Sequence, residues 1–542
     1  MATICSPRYQ SMLSFLRLKA CKNLRNYHVR WLYIAVACVF GFGMPAHADP
    51  DVELPKLRTN LQDFKLHLND PSSQILSIHE LVAQFGLQKY VETGAIIGFR
   101  KQVLPAPKIR VGLDGQVMDM RLGMAMLTQT YGASENKVVI DAQGQESRQA
   151  LVLMSGDATL ADIGALLSAK GLQKNNAGHS LTLDVPLIIW TGAALRLQPG
   201  ETLLLNREHG AFVINFGHLK INGATIKASG AENIHSKKFN PFVATGGGGS
   251  AELNQAKIIG LGFGHSPKFS GFSVLRNALF PVQHPTAIMN SLFSDLVSVA
   301  ISGVSDAVIQ GNNFRDMRGN AVSLSHSRYG RVVANIFSGK MQTNAIRVEN
   351  GSVNSVVAGN IILGGKRAGI VVRHNSNNTR VANNIIWKRE GGGIMMAHMK
   401  CGQISDNLVL ENAQKGVEIR SSQGSAITKN RILSNHSAGI WVSAQTDAAQ
   451  TVIKNNTLKS NGSGISTATG GSIILDGNDF SAQFPRLLGG DLALQSQHIV
   501  KNIMGEKQMI FTAGGQMDSI EPSEACANPP MLSTGSVLQG SQ

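Results

Sequence analysis

Cysteine is scarce in this chain. Of five cysteines in 542 residues, Cys5, Cys21 and Cys38 precede residue 49, leaving Cys401 and Cys526 far apart in sequence. Two such residues make no disulfide framework, and no bridge between them is expected. Charged residues are only 16%, too few for a disordered chain, so most of the chain should fold. Aromatic residues are 6% against 57 glycines, which suits a turn-rich β protein better than a helical one. Acidic residues are missing altogether from the first 48 positions, which hold six Lys/Arg; the remainder carries 44 basic against 35 acidic residues. That surplus of +9 suits a polyanionic partner, nucleic acid or acidic polysaccharide, or simply a basic surface. Beyond the first 48 residues, no stretch is long and apolar enough to span a bilayer.

The front of the chain reads as a leader. Arg25, His28 and Arg30 precede an apolar run at 31–44, and Ala46-His47-Ala48 supplies small-x-small before Asp49. This predicts a secretory signal peptide over 1–48, cleaved after Ala48, with Met12 as an alternative start. Export without an anchor places the mature chain in the periplasm or outside the cell.

What is abundant is repetition. Asn290, Asn313, Asn335, Asn360, Asn384, Asn407, Asn430, Asn456 and Asn478 recur every 22 to 26 residues. Each is followed within two residues by an apolar one and, from Asn335 to Asn430, eight to ten residues on by a small residue opening a β-branched run. Examples are Gly369-Ile370-Val371-Val372 and Gly439-Ile440-Trp441-Val442. A fixed period of this size marks a repeat architecture. Short alternating segments make each repeat one coil of a parallel β-helix, with asparagines stacked from coil to coil as structural rungs.

The expected organisation is a small α+β cap region at 49–180, a β-helix at 181–500 and a disordered tail at 519–542. Within the cap, helical patterning covers 52–68 and 74–85, strands are expected at 90–103 and 138–140, and a helix at 160–170 with Asp157 as N-cap. The cap is expected to close the first coil against edge pairing, or else to reach substrate. The glycine run at 246–249 lacks the lysine and hydroxyl of a P-loop and reads as a tight turn. A basic loop is expected over 264–285.

Between buried strand positions lie outward ones. Counting from the small residue that opens each strand gives three columns. Two steps on are Ser323, Arg347, Val371, Met395, Glu418 and Trp441; four steps on are Ser325, Glu349, Arg373, Ala397, Arg420 and Ser443. Five steps on are His326, Asn350, His374, His398 and Ser421. With Lys400, these columns predict one basic, histidine-bearing face. Asn350 interrupts the histidines and their column holds no carboxylate, so neither a metal nor another cofactor is expected. An acidic sugar polymer on that face would find cations for its carboxylates. Abstracting the C5 proton of a uronate requires that neutralisation and a base such as His. Reprotonation from the other side gives epimerisation; expulsion of the C4 group gives a lyase.

Several landmarks carry a family resemblance. Gly210-Ala211-Phe212-Val213-Ile214-Asn215, Phe239-Asn240-Pro241-Phe242-Val243, Ala287-Ile288-Met289-Asn290-Ser291-Leu292-Phe293-Ser294-Asp295 and Val308-Ile309-Gln310-Gly311-Asn312-Asn313-Phe314-Arg315-Asp316 occur in that order. Over 180–480 the chain resembles the periplasmic mannuronan C5-epimerases of alginate-producing bacteria. The resemblance implies a right-handed β-helix, a periplasmic location and a polyuronate substrate. The family's Asp-Pro-His-Asp motif falls on Ser323-Leu324-Ser325-His326, with Ser325 at the place of the basic histidine; its catalytic arginine falls on Asn350. Ala300, Ser302 and Gly303 replace the family's aromatic and acidic groove residues. The expected function is therefore modification of an acidic exopolysaccharide, foremost C5-epimerisation. His326 or His374 serves as base, Arg347 or Arg373 neutralises the carboxylate, and Glu349, Asn350, His398, Lys400 and Arg420 bind substrate. The alternatives are a lyase, or a non-catalytic component that binds and guards polymer beside exopolysaccharide synthesis and export proteins. Export and few exposed aromatics argue against nucleic acid.

Overall fold

The structure is a computed structural model that describes residues 50–69, 78–91, 108–144, 148–174, 178–277, 286–446, 449–511 and 526. The expected leader, nearly all of the strand expected at 90–103 and the tail apart from Cys526 lie outside the described residues. Contacts divide the chain after Glu53, and the larger unit runs from Leu54 onward.

That unit is an all-β parallel β-helix. Each regular coil contributes three short strands, such as Ile346–Glu349, Val356–Ala358 and Ile361–Leu363. These pair in parallel register with Ile370–Arg373, Arg380–Ala382 and Ile385–Trp387 of the next coil. Inward positions such as Ile346, Val348, Val357 and Ile362 are wholly buried in one continuous core. Phe293, Phe314 and Phe337 stack along it with ring centroids 5.1 and 4.8 Å apart.

The asparagine rungs are real, with one shift of register. The buried ladder runs Asn312, Asn335, Asn360, Asn384, Asn407, Asn430, Asn456, Asn478, none more than 2% exposed. Asn384 is typical. Its Oδ1 accepts from the backbone and amide nitrogens of Asn360, both at 2.9 Å, and its Nδ2 donates to Asn407 Oδ1 at 2.9 Å. Asn290 and Asn313 are not rungs: Ser291 takes the first place, its N donating to Asn312 Oδ1 at 2.9 Å. Asn290 is instead exposed in a left-handed turn at φ 49°. A second ladder, Asn412–Asn435–Asn461–Gln483, lies at the next corner.

The amino-terminal elements cover the solenoid rather than forming a detached layer. Helices α1 (Pro50–Asn69) and α2 (Ile78–Gln84) pack on the third sheet, burying Ile361, Leu363, Ile385, Trp387 and Leu408 on its outer face. This explains why Ile361-Ile362-Leu363 and Ile385-Ile386-Trp387 are apolar at every position: both faces of the strand are covered. Next come β1 (Asp114–Asp119), α3 (Arg121–Tyr131), α4 (Asn136–Ala142), β2 (Gln149–Ala158) and α5 (Leu160–Ala169). Strand β2 pairs in parallel with Leu187–Ile189 and Ala193–Leu197 and so lays down the first rung. Helix α5 buries Leu160, Ile163 and Leu167 in the core at that end.

Several expectations are corrected. Residues 138–140 are helical within α4, because Val139 packs into an aromatic cluster with Phe212, Phe242 and Phe269 that overrides β-branched propensity. The cap of α5 is Thr159 in a capping box with Asp162, while Asp157 pairs with Arg196 at 2.7 Å. Within the expected loop at 264–285, Gly271–Leu275 is a buried strand of the first sheet, paired on both sides. Cys401 and Cys526 are bonded, with Cα atoms 5.3 Å apart. Cys526 lies against the corner that carries Cys401 and Gly424, so distance along the chain was no guide to distance in space.

Candidate functional site

Helices α3 and α4 cover the outer face of the first sheet only in the early coils, over Ile188, Phe212, Ile214, Phe242 and Ala244. From Ser298 onward that face is open, and a groove of about 1180 Å³ runs along it to Glu418. It is lined by the turn at 263–270, which contributes Phe263 and His265, and by the turns that precede the later first-sheet strands.

The outward columns pair as expected. Ser323, Arg347, Val371, Met395, Glu418 and Trp441 follow one another in parallel register, and Ser325 pairs with Glu349. All but Trp441 of these line the groove, as do Asn350 and Arg373. Glu349 is held between two guanidinium groups: its Oε2 accepts from Arg347 Nε at 2.9 Å and from Arg373 Nε at 2.8 Å. Asn350 turns its amide to Ser325 Oγ at 3.1 Å, and that oxygen lies 3.0 Å from His326 Nδ1.

The histidine column separates from this group. His326, Asn350, His374 and His398 all sit in left-handed turns at φ 51–56°, where the chain leaves the first sheet. His374 and His398 stack with ring centroids 5.9 Å apart, exposed and outside the groove lining. Lys400 and Arg420 also lie outside it. The structure thus brings together Arg347, Glu349, Asn350 and Arg373, sets His326 behind Ser325, and leaves His374, His398, Lys400 and Arg420 elsewhere.

Counting columns along strands missed the cations on the turns. The groove is lined by six cations (Arg318, Arg347, Lys366, Arg367, Arg373 and Lys415) against two carboxylates, Glu349 and Glu418. Arg347 and Arg373 are occupied by Glu349, Lys415 pairs with Glu418 at 2.8 Å, and Arg318 pairs with Asp295 at 3.0 Å. Lys366 and Arg367 remain as the exposed cations of the rim without a carboxylate partner among the described residues. Arg389 fixes their turn from below. It is 1% exposed and donates from Nε to Arg367 O at 2.7 Å, from Nη2 to Thr343 O at 2.6 Å, and from Nη1 to Gly364 O. Burial pushes its guanidinium down to about 10. Gly365, at φ 102°, must lack a side chain, since a Cβ there would strike both Arg389 Nη1 and Met341. The signal was present in sequence as Gly364-Gly365-Lys366-Arg367, but nothing local shows that this turn faces the groove.

The turn at 263–270 is anchored by Lys268, wholly buried, which donates to Gly132 O and Asn136 Oδ1, each at 2.6 Å. Glu135 accepts from the backbone nitrogens of His265 and Ser266 in the same turn. Burial pushes the Lys268 ammonium down to about 8, with the Glu135 carboxylate acting in the opposite direction. An unfolded chain keeps that proton to about 10.4. The folded protein binds fewer protons between these values, so this group makes stability rise with pH from about 8 to about 10. Lys268→Met is expected to remove that rise, at most about 3 kcal/mol, in urea unfolding followed across this range. A variant curve parallel to wild type would show that Lys268 does not cause it.

Comparisons with known proteins agree on architecture. The family described as periplasmic copper-binding protein (NosD) matches residues 286–450. The crystal structure of the periplasmic alginate epimerase AlgG superposes with a TM-score of 0.55 at 19% identity, covering 72% of this chain and 99% of that one. A single-substitution variant of that epimerase gives 0.56 at 20% identity, covering 74% and 96%. At such identities the likeness is one of fold. No curated protein sequence matches. Among the described residues, no three His, Cys, Asp or Glu side chains converge as metal ligands. The Cys401 and Cys526 thiols are joined in a disulfide and so are not free to ligate a metal. No helix among the described residues is long and apolar enough to cross a membrane.

Proposed function

We propose that this protein, exported to the periplasm, binds an acidic polysaccharide along the first-sheet groove and modifies it, foremost by C5-epimerisation of a polyuronate. The observation that carries the reading is a long open groove rimmed by exposed Lys366 and Arg367, with Arg347 and Arg373 on its floor. Coils repeat at about 4.8 Å, close to the advance of one sugar in an extended polymer, so successive carboxylates would meet successive coils. His326, which stands behind the groove wall, would take up the C5 proton through the Ser325 hydroxyl 3.0 Å from its Nδ1, and Arg347, Arg373 and Arg367 would stabilise the charge that develops on the neighbouring carboxylate. The chain's neighbours in fold include an alginate epimerase, which supports the substrate class only by analogy. Residues 1–48 as leader, 49–180 as cap, 181–500 as β-helix and 519–542 as tail remain part of this proposal, as does association with export proteins.

A second reading, binding and guarding without chemistry, is favoured by two observations. Glu349 already engages Arg347 and Arg373, and His326, His374 and His398 all stand outside the lining. Incubating mature protein with polymannuronate and reading the product by proton NMR separates the readings. New guluronate signals support epimerisation and unsaturated ends a lyase; bound but unchanged polymer would sink both. Within the catalytic reading, His326→Ala should lower the rate about 10²- to 10⁴-fold.

A further inference from the structure

We propose that Ser325 is a nucleophile with His326 as its base, giving the protein a second activity: hydrolysis of a carboxylic ester carried on a sugar hydroxyl. The choice of polymer rests on the function proposed above; the nucleophile does not.

Ser325 lines the groove, whereas His326 does not. The imidazole therefore stands behind the hydroxyl, in the order that activating a nucleophile requires. Ser325 Oγ lies 3.0 Å from His326 Nδ1 and accepts from Asn350 Nδ2 at 3.1 Å. A hydroxyl has one proton and two lone pairs. With the amide on one lone pair, the hydroxyl proton can be given to Nδ1 when the imidazole carries its own proton on Nε2. The strand end is fixed as well: the Ser325 carbonyl accepts from Gly303 N at 2.9 Å and from Ser327 Oγ at 3.0 Å.

The pair is not a by-product of the repeat. The equivalent positions in later coils are Glu349–Asn350, Arg373–His374, Ala397–His398 and Arg420–Ser421, none of which places a hydroxyl before an imidazole. The left-handed turn is common to all of them; the chemistry belongs to one. Around Ser325 the groove carries Asn320, Ser323, Thr343 and Asn344, and the charges beside it are paired, Arg318 with Asp295 and Glu349 with Arg347 and Arg373; the exposed cations without a carboxylate partner among the described residues, Lys366 and Arg367, lie in a later coil. A neutral ester suits the first environment and a uronate carboxylate the second.

In the step proposed, Ser325 Oγ attacks the acyl carbon as its proton passes to His326 Nδ1. The Asn350 amide donates to the carbonyl oxygen as it gains charge. The bond from the acyl carbon to the sugar oxygen breaks, and that oxygen takes the proton from the imidazolium. Water then attacks the acyl-serine, giving its proton to His326, and a carboxylic acid leaves as that proton returns to Ser325 Oγ.

The test treats the mature protein with a fluorophosphonate, which phosphonylates activated serines, and locates the adduct by peptide mass spectrometry. A single adduct on Ser325 is expected, absent in Ser325→Ala and formed at least about 100-fold more slowly in His326→Gln. Labelling elsewhere only, or no labelling, overturns the assignment. In parallel, acetate release is followed from a nitrophenyl ester and from O-acetylated polymannuronate, with thermal unfolding confirming that both variants fold. Release from both, lost in Ser325→Ala, is the expected result. Release from the small ester alone keeps the nucleophile and removes the polyuronate reading; release from neither overturns the esterase.

Discussion

Lys366→Glu with Arg367→Glu is expected to weaken polyuronate binding about 100-fold while leaving the fold intact. Both side chains are exposed on the groove rim and have no carboxylate partner among the described residues, so reversing them removes two attractions and adds two repulsions. At the effective dielectric of a protein surface such a change is worth about 3 kcal/mol in total, and each 1.4 kcal/mol is about tenfold in affinity. The salt dependence of binding should also become shallower, since fewer cations meet the polymer. Titration calorimetry at two ionic strengths reads both quantities. Unchanged affinity would mean that the polymer does not lie along this rim. The same reasoning makes Glu349→Gln informative in the other direction: releasing Arg347 and Arg373 should tighten binding.

Asn384→Ala is expected to destabilise the solenoid by about 3 to 5 kcal/mol, more than any surface change in the same coil. The side chain is wholly buried. Its loss leaves the backbone N of Asn360 without its acceptor and takes one bond each from the Asn360 amide, Asn407 Oδ1 and the carbonyls of Val357 and Ala382, which it bonds at 2.9 to 3.0 Å. Each buried polar group left without a partner costs about 1 to 3 kcal/mol, partly recovered by relaxation and entering water. Asn290→Asp, at a position that shares the sequence period but not the ladder, should stay within about 0.5 kcal/mol of wild type. Urea unfolding of the two variants decides between register and mere spacing. Equal losses would contradict the ladder as described.

The period of the asparagines was enough to read the architecture, because a coil that cannot bury its face alone must repeat that face at a fixed interval. It was not enough to place every rung. In Asn312-Asn313 two asparagines adjoin, and only the first turns inward. The second ladder was also legible in retrospect: Asn412, Asn435, Asn461 and Gln483 each follow a rung by five residues. The outward columns could be counted, since strands alternate, and their pairing holds coil after coil. What alternation does not report is where a side chain goes once the strand ends. His374 and His398 directly follow the strand ends Arg373 and Ala397, yet the left-handed turn carries them out of the groove. Lys366, Arg367 and Arg389 escaped notice for the complementary reason: turns have no period, and only the folded coil brings them to the rim. Helix α4 and the Cys401–Cys526 bond belong with these, decided by neighbours remote in sequence.

On the proposed function, this groove presents a polyuronate to a base at the Ser325–His326 pair. The most direct measurement incubates the mature protein with polymannuronate in heavy water and follows the C5 position by NMR. Deuterium at C5, with or without inversion, is the expected result, and it should be lost in His326→Ala. Polymer that binds in the groove yet keeps every C5 proton would contradict it.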